Sequence, residues 1–477
     1  KNNRKMKLSF KSVMPFAVLV VLAFLAMFVS PDADFVPGAD DTQYSAADIA
    51  WVLASAALVF LMTPGLAFFY GGMVHRKNVI STMIKSVVAA GVVGVLWITV
   101  GFSLSFGDSL GGFIGDPSTF LFFKGVKSGA AWGGAPTIPL LLFAVFQMMF
   151  AIITPGLVVG AVAERVRFTS YILFIVLFSL LVYAPVAHWS WHPEGFLAKM
   201  GVFDFAGGTV VHITAGCAAL AGALVLKQRR ALMEGKEIPA ANVPYVLIGT
   251  GLLWFGWFGF NAGSAVGASP LAVNAFGTTN TAAAAAGLAW MFFDVLKGKK
   301  PSVMGFCIGA VVGLVAITPA AGFVAIPQSI MIGVVGAIIS NIAVGLKHKA
   351  KLDDTLDVFP CHGIGGMVGM LMTGLFANTL AHGIEDGPQG LFYGNPEFFF
   401  TQFKAMCIVV AYSFAVSFAI FKFINFILPL RVTSEEEELG LDETQHNEKY
   451  LQGTLLVTNG NGKLVETQVE LIEKGTV

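Results

Sequence analysis

Two histidines lie inside long apolar stretches of this sequence, each a short distance after an aspartate. Asp204 precedes His212 by eight residues, and Asp357 precedes His362 by five. Ionisable groups within a membrane are costly, so they usually face the interior of a helix bundle and mark a pathway. Two neutral imidazoles that share one N–H bond leave ring nitrogens that can accept a hydrogen bond or a proton. The pattern predicts a pore lined by a histidine pair; the alternative is two buried structural histidines.

The aspartate that precedes the first histidine has a separate expected role. Asp204 lies at the outer end of its helix, beside Gly207 and Gly208. A carboxylate in that position can accept hydrogen bonds from the exposed backbone N–H groups of the helix start. We therefore expect Asp204 to cap the helix and to add negative potential below the outer mouth of the pore.

A second group of residues is aromatic. Phe146 and Phe150 lie four residues apart, and Phe260 and Ser264 have the same spacing, so each pair shares one face of a helix. The outer loop 188–203 adds two tryptophans. Aromatic faces attract cations by about 0.5–2 kcal/mol, which recruits a cation without trapping it. These residues are candidates for a cation site above a gate of stacked rings; the alternative is that they are ordinary core or lipid-facing side chains.

The composition is that of a membrane protein with many spans. Of 477 residues, 56% are hydrophobic and only 12% are charged, against about 25% charged residues in soluble chains. The net charge is zero, so nothing indicates binding to nucleic acid. The four cysteines show no metal-ligand spacing, and motifs of zinc peptidases or serine hydrolases are absent. The sequence predicts no metal, no cofactor and no enzymatic activity.

Apolar segments long enough to cross a membrane occur eleven times after residue 45. They lie at 46–74, 82–105, 138–163, 168–187, 208–226, 243–263, 278–296, 302–320, 326–346, 360–380 and 402–430. The connections after segments 1, 3, 5, 7 and 9 hold fifteen Lys and Arg residues, and the alternate connections hold four. Because positive residues favour the cytoplasmic side, this bias predicts an outer N-terminus and a cytoplasmic C-terminus.

The predicted fold is an all-α membrane protein of eleven transmembrane helices with an inverted five-plus-five helix repeat. Segments 1–5 and 6–10 each end in a segment with an aspartate and then a histidine. An odd number of spans in each half inverts the second half, and the pathway of such proteins lies where the repeats meet.

The two ends of the chain differ from this eleven-helix domain, which we place at 34–430. Residues 1–33 have a basic start and an apolar stretch, as a signal peptide does; the alternative is an uncleaved extra helix. Residues 431–477 form a polar cytoplasmic tail. Within it, two β-prone runs between Thr454 and Leu471 flank Asn-Gly pairs, which predicts a β-hairpin.

Five motifs of this sequence resemble the ammonium transporter family (Amt/Mep/Rh), on the Amt side. They run from Thr63 to Gly72 (Thr-Pro-Gly-Leu-Ala-Phe-Phe-Tyr-Gly-Gly), from Glu164 to Phe168, from Asp204 to His212, from Gly256 to Ser264 and from Asp357 to Gly363. The similarity covers about residues 45–450. It implies a homotrimer of eleven-helix protomers in the cell membrane, the bacterial inner membrane, each protomer with its own pore for ammonium, ammonia or methylammonium.

The resemblance also implies a role for each candidate residue. Trp191, Phe150 and Ser264 match the external ammonium site, with Phe146 alongside. Phe150 and Phe260 match the stacked gate. His212 and His362 match the paired histidines, and Asp204 matches the aspartate below the mouth. Trp189 lies near Trp191 in the same loop and competes with it for the first match. The tail from Gly440 to Tyr450 resembles the family's regulatory tail, which implies a PII-class protein as partner.

These observations support one hypothesis and leave three alternatives. The hypothesis is recruitment of ammonium outside, deprotonation at or below the phenylalanine gate, and passage of ammonia past the histidines. The alternatives are an ammonium sensor that signals through its tail, an intramembrane enzyme, and a Rh-like conduit for ammonia or carbon dioxide.

Overall fold

The computed structural model describes residues 10–29, 44–127, 130–384, 387–450, 454–458 and 464–468. Within these residues, nine helices are long and apolar enough to cross a membrane. They are Ala46–Met73, Arg76–Phe106, Leu140–Val162, Phe168–Lys199, Gly208–Leu226, Val243–Ala265, Ile326–Lys349, Phe359–Phe376 and Pro396–Ile427. The chain is therefore a helical, multi-pass membrane protein.

Two further helices lie between the sixth and the seventh of these nine along the chain. Pro270–Leu296 has 27 residues but carries a polar run of Thr and Asn, and Val303–Ile317 is apolar but has 15 residues. The two pack against each other, and Pro270–Leu296 also packs against Ile326–Lys349. They occupy the positions of the seventh and eighth predicted segments.

The helices approach one another closely because many of their contact residues are small. Ala46–Met73 packs along Val243–Gly263, and Gly249 lies against the backbone of Phe69 at this crossing. Close approach through small residues replaces the hydrophobic driving force that is missing between helices in lipid.

The helix Gly208–Leu226, which we call the first histidine helix, and Phe359–Phe376, the second histidine helix, cross inside the bundle. Each begins with six residues of π-helix, Gly208–Ile213 and Phe359–Ile364. π-Helical turns inside α-helices are frequent at functional sites. These turns contain His212 and His362.

The C-terminal tail folds back onto the helix bundle. It contains two short helices, Ser434–Leu439 and Leu441–His446. Asp442 accepts a hydrogen bond from the N–H of Ser81 at 2.7 Å, and Arg167 pairs with Glu436 at 2.7 Å. Charged and capping contacts therefore hold this part of the tail in place.

Four short strands complete the described structure. Ser109–Leu110 pairs antiparallel with Ile114–Gly115 in the loop after the second long helix. In the tail, Thr454–Thr458 pairs antiparallel with Leu464–Gln468, within the predicted hairpin. The Asn-Gly turn of that hairpin lies outside the described residues.

The N-terminal region contains the helix Phe10–Ala26, which leaves large apolar side chains such as Phe16 and Phe24 exposed. The predicted signal peptide at 1–33 is described only from residue 10 to residue 29, so the end of this segment lies outside the described residues. The signal peptide stays a prediction.

Candidate functional site: a histidine pair beneath an aromatic gate

The rings of His212 and His362 meet in the centre of the bundle. Their Nδ1 atoms lie 3.4 Å apart, within hydrogen-bond distance, and the ring centroids are 5.5 Å apart. Both side chains are buried, with 1% and 4% of their surface exposed. Because two nitrogens can share only one proton in a hydrogen bond, one ring must donate and the other must accept.

Two glycines allow the histidine helices to come this close. Each glycine follows a histidine by four residues, one helical turn: Gly216 after His212, and Gly366 after His362. A Cβ atom on Gly216 would lie 2.1 Å from the backbone nitrogen of Gly363, and one on Gly366 would lie 3.1 Å from the Cβ of His212. Backbone therefore packs against backbone at this crossing, which leaves room for the imidazoles to meet.

An aspartate begins each histidine helix. The carboxylate of Asp204 accepts hydrogen bonds from the N–H groups of Gly207, Gly208 and Thr209 at 2.9, 2.6 and 2.7 Å, and a fourth from the Thr209 hydroxyl. The expected capping role of Asp204 matches this geometry. Its carboxylate is directed at its own helix, because four donors occupy both oxygens.

At the second histidine helix, the aspartate that matches Asp204 in spacing and hydrogen bonding is Asp354, not Asp357. Asp354 precedes His362 by eight residues, the spacing of Asp204 and His212, and it accepts hydrogen bonds from the N–H groups at 358 and 359 at 3.0 and 2.7 Å. Burial raises the pKa of the Asp354 carboxyl from 3.8 to about 6. Asp357 instead pairs with Lys347. The pairing of Asp204 with Asp357 expected from the motif is therefore wrong, because Asp354, just before the motif, has the equal spacing.

A small apolar cavity adjoins the histidine pair. It leaves about 10 Å³ for the centre of a water-sized molecule, which is roughly the room that one such molecule needs. Aliphatic and aromatic side chains line most of its wall, and the two histidines are the ionisable groups in it: Met62, Leu66, Phe69, Ile153, Leu157, Val211, His212, Leu253, Trp257, Phe260, Val311 and His362. A molecule the size of water or ammonia fits there.

Two phenyl rings contact each other next to this cavity. The rings of Phe150 and Phe260 have centroids 4.3 Å apart, with 37° between their planes. Both residues are fully buried. Phe260 also stacks on His212, at 6.0 Å and 24°. The predicted gate pair therefore connects directly to the histidine pair.

Two of the predicted outer residues contact the ring of Phe150. Trp191 and Phe146 place their ring centroids 5.9 and 5.0 Å from that of Phe150. Ser264 donates its hydroxyl proton to the carbonyl of Phe260 at 2.8 Å, so its oxygen lone pairs are free to accept. Aromatic faces and a hydroxyl oxygen are the groups that the expected cation site requires.

The two tryptophans lie in the helix Ala184–Trp191 rather than in the predicted outer loop 188–203, and the structure separates them. The indole N–H of Trp191 donates to the backbone oxygen of Asp204 at 3.1 Å, which holds the ring against Phe150. Trp189 packs instead on Phe196 and Tyr412. Trp191 is therefore the tryptophan that meets the other predicted site residues.

Sequence reasoning missed two residues beside the histidines. The indole ring of Trp257 stacks on His212, at 5.4 Å and 22°. The hydroxyl of Thr318 lies 3.4 Å from Nε2 of His212 and accepts from the Trp257 N–H at 2.9 Å. Trp257 lies inside the motif from Gly256 to Ser264, three residues before Phe260. The signal for Thr318 was a Thr-Pro pair inside an apolar segment, which the sequence also shows at Thr63 and Thr154.

No group of three or more His, Cys, Asp or Glu side chains within the described ranges could hold a metal ion. The groups that the site offers are hydrogen-bond acceptors, π faces and a small apolar cavity. Such a set can attract a cation at one end and pass a small neutral molecule through the middle.

Comparison with known proteins identifies a family that matches most of the chain. Residues 50–450 match the Ammonium Transporter Family. The chain is 44% identical to the ammonium transporter Amt1 of Archaeoglobus fulgidus over 84% of this chain and 98% of that protein. The crystal structure of Saccharomyces cerevisiae Mep2 is similar, with a TM-score of 0.77 and 36% identity over 83% of this chain and 92% of that chain.

A solved structure named Sensor Amt Protein is also similar, with a TM-score of 0.76 and 30% identity over 84% of this chain and 98% of that chain. The family match covers most of the sequence, and the relatives named here are covered almost from end to end. This chain belongs to the ammonium transporter family, whose members are transporters rather than enzymes.

Proposed function

We propose that this protein recruits ammonium at its outer face, releases a proton near the phenylalanine gate, and conducts ammonia past the paired histidines. The observation that carries the proposal is the pair of buried imidazoles beside an apolar cavity the size of one small molecule. Transfer of a small cation from water to an apolar medium costs on the order of 20 kcal/mol in the idealised limit. Ammonia carries no charge, so this cost does not apply to it.

Recruitment is the proposed role of the outer residues. Trp191 and Phe146 offer π faces around Phe150, and Ser264 offers an oxygen. Asp204 acts indirectly in this proposal, because its carboxylate is occupied by the helix start while its backbone oxygen orients the Trp191 ring.

The gate is the proposed role of Phe150 and Phe260. In this proposal their buried rings, whose centroids are 4.3 Å apart, close the path between the outer site and the cavity. Either ring must rotate for a molecule to pass. Since rotation admits one small molecule at a time, the gate would also exclude hydrated ions.

For the architecture we propose eleven spans in two inverted halves, with the N-terminus outside and the C-terminus in the cytoplasm of a bacterial cell. The count adds Pro270–Leu296 and Val303–Ile317 to the nine longer apolar helices. The matching spacing of Asp204–His212 and Asp354–His362 supports a duplicated origin. The uneven distribution of Lys and Arg supports the orientation.

For the assembly we propose a homotrimer, and a PII-class protein as partner at the cytoplasmic face, both from family resemblance. The tail offers a means of control, because it contacts the connections between helices through Lys77, Arg167 and Arg230. The strand pair at 454–468 continues beyond that contact and is a second surface that a partner could use.

A sensor that signals through the tail is the second candidate, and similarity to the Sensor Amt Protein favours it. The two functions differ in flux. A transporter keeps at least part of its ammonium flux when residues 431–477 are deleted or when a partner holds them in place. A pure sensor has no flux with or without the tail.

The test is transport in proteoliposomes, with ammonium-driven current and methylammonium uptake measured for the wild type and for His212→Ala/His362→Ala. We expect about tenfold or greater loss in the double variant, equivalent to about 1.4 kcal/mol or more on the barrier. His382→Ala is the matched control, because His382 is also buried but bonds to the carbonyl of Pro388. Unchanged flux and selectivity in the double variant would rule out the role of the histidine pair.

A further inference from the structure

Thr318 follows the helix Val303–Ile317, and its side-chain oxygen meets three groups. The Oγ1 atom lies 2.7 Å from the carbonyl oxygen of Leu314, 2.9 Å from Nε1 of Trp257 and 3.4 Å from Nε2 of His212. A hydroxyl has one proton to donate and two lone pairs that accept. The three contacts therefore use the one proton and both lone pairs of the hydroxyl.

The backbone decides where the hydroxyl proton goes. Pro319 has no N–H and cannot donate to the carbonyl of Val315 one turn back. The N–H of Thr318 donates to that carbonyl instead, at 3.2 Å, so the carbonyl of Leu314 loses its usual amide donor. The Thr318 hydroxyl donates to Leu314 in its place.

Both lone pairs of the hydroxyl therefore accept. Nε1 of Trp257 is always a donor, and it takes one of them. The other faces Nε2 of His212, which must then carry a proton. A neutral imidazole has a single N–H, so Nδ1 of His212 is an acceptor, and Nδ1 of His362 donates to it across 3.4 Å.

We propose that Thr318 is a positioning residue that holds the histidine pair in one tautomer, so that the accepting nitrogen offered to the pore is Nε2 of His362 alone. That nitrogen has no hydrogen-bond partner in the part of the chain that the structure describes, and His362 lines the cavity. His212 instead presents a ring that stacks on Trp257 and Phe260.

The consequence for transport rests on the proposed function. A molecule of ammonia in the cavity would donate a hydrogen to His362, not to His212. The path would then have one directional acceptor rather than two equal ones. The tautomer itself does not depend on transport and can be measured separately.

The experiment is solid-state NMR on the full-length protein in liposomes, with ¹⁵N-labelled histidine and ¹³C-labelled threonine. Protonated and unprotonated ring nitrogens have different ¹⁵N shifts. The pair is recognised by its Nδ1–Nδ1 correlation, and His212 by the proximity of its Nε2 to the Cβ of Thr318. We expect a protonated Nε2 on His212 and an unprotonated Nε2 on His362.

Three variants test the cause. Thr318→Val removes the hydroxyl with little change of shape, and we expect the ratio of the two tautomers to change by about fivefold, the usual contribution of one hydrogen bond. Thr318→Ser keeps the hydroxyl and should retain the wild-type ratio. Thr373→Val is the matched control, because the Thr373 hydroxyl also bonds to a carbonyl four residues back and is fully buried.

The outcomes are separable. A protonated Nδ1 on His212 of the wild type overturns the proposal without any variant, even if Thr318→Val fails to fold. An unchanged ratio in Thr318→Val, a changed ratio in Thr318→Ser, or an equal change in Thr373→Val also overturns it. Loss of transport with an unchanged tautomer would concern the proposed function only.

Discussion

The first histidine helix, Gly208–Leu226, and the second, Phe359–Phe376, each place a histidine eight residues after a capping aspartate and four residues before a glycine. Both start with a π-helical turn. The residue three positions after each aspartate has a positive φ, 115° at Gly207 and 59° at Asp357. The two backbones are thus built alike.

The surroundings of the two histidines differ. His212 contacts Thr318 through Nε2 and stacks on Trp257 and Phe260, whereas the contact of His362 with His212 is made through Nδ1. The aspartates differ too: the carboxylate of Asp204 accepts four hydrogen bonds, whereas that of Asp354 accepts the two from the N–H groups at 358 and 359. Two similar backbones therefore bring the rings together, while neighbours from other helices give each ring different contacts.

The largest expected difference between the two helices concerns their glycines. Gly216→Ala should lower the free energy of unfolding by about 3 kcal/mol or more, because the new Cβ would meet the backbone of Gly363 at 2.1 Å. Gly366→Ala should cost about 1 kcal/mol, since its Cβ would have 3.1 Å to its neighbours. Thermal unfolding in detergent measures both.

Gly251→Ala is the control for these two variants, because a Cβ there meets nothing within 4 Å. It should leave stability unchanged or raise it slightly, as alanine favours a helix over glycine. Equal losses of stability in Gly216→Ala and Gly366→Ala would contradict the prediction, which rests on the difference between the two Cβ distances.

The second difference concerns the aspartates. Asp204→Asn replaces an oxygen that accepts two hydrogen bonds with an NH₂ group, and we expect a loss of about 2–3 kcal/mol. Asp354→Asn should cost less than about 1 kcal/mol at pH 7, because it also removes a buried charge. The same unfolding measurement compares them, and a larger loss at Asp354 would contradict the ranking.

The smallest effect is a dependence on pH. The pKa of Asp354 rises from 3.8 to about 6 on burial, so the folded protein holds more protons than the unfolded chain between about pH 4 and 6. Its contribution to stability therefore falls as pH rises through that window and is constant above it. We expect Asp354→Asn to gain on the wild type by at most about 1.4 kcal/mol per pH unit from pH 4 to 6.

Asp353 provides the opposite case one residue away. Arg165 and Arg229 outweigh the effect of burial and lower the pKa of Asp353 to about 2. Its stabilisation is present above about pH 4 and is lost as pH falls towards 2. A stability difference between Asp354→Asn and the wild type that grows below pH 4 instead of between pH 4 and 6 would contradict the assignment for Asp354.

Much of the fold and site could be predicted from local features of the sequence. Long apolar segments predict membrane helices because each helix satisfies its own backbone hydrogen bonds. The family resemblance, carried by motifs such as Asp204–His212 and Gly256–Ser264, is confirmed by the match over residues 50–450. The choice of Asp357 as the counterpart of Asp204 was wrong, because the motif that contains His362 begins after Asp354.

By itself, the sequence determined that this chain is a membrane protein and where its long apolar helices lie. It also determined which histidines and aromatic residues are candidates for the functional site. These properties depend on composition and on spacing within one helix. Only the tertiary structure decided that Trp191 rather than Trp189 meets Phe150, and that Thr318 meets His212. The reason is physical: these contacts join side chains from different helices, and their geometry follows from how the helices cross.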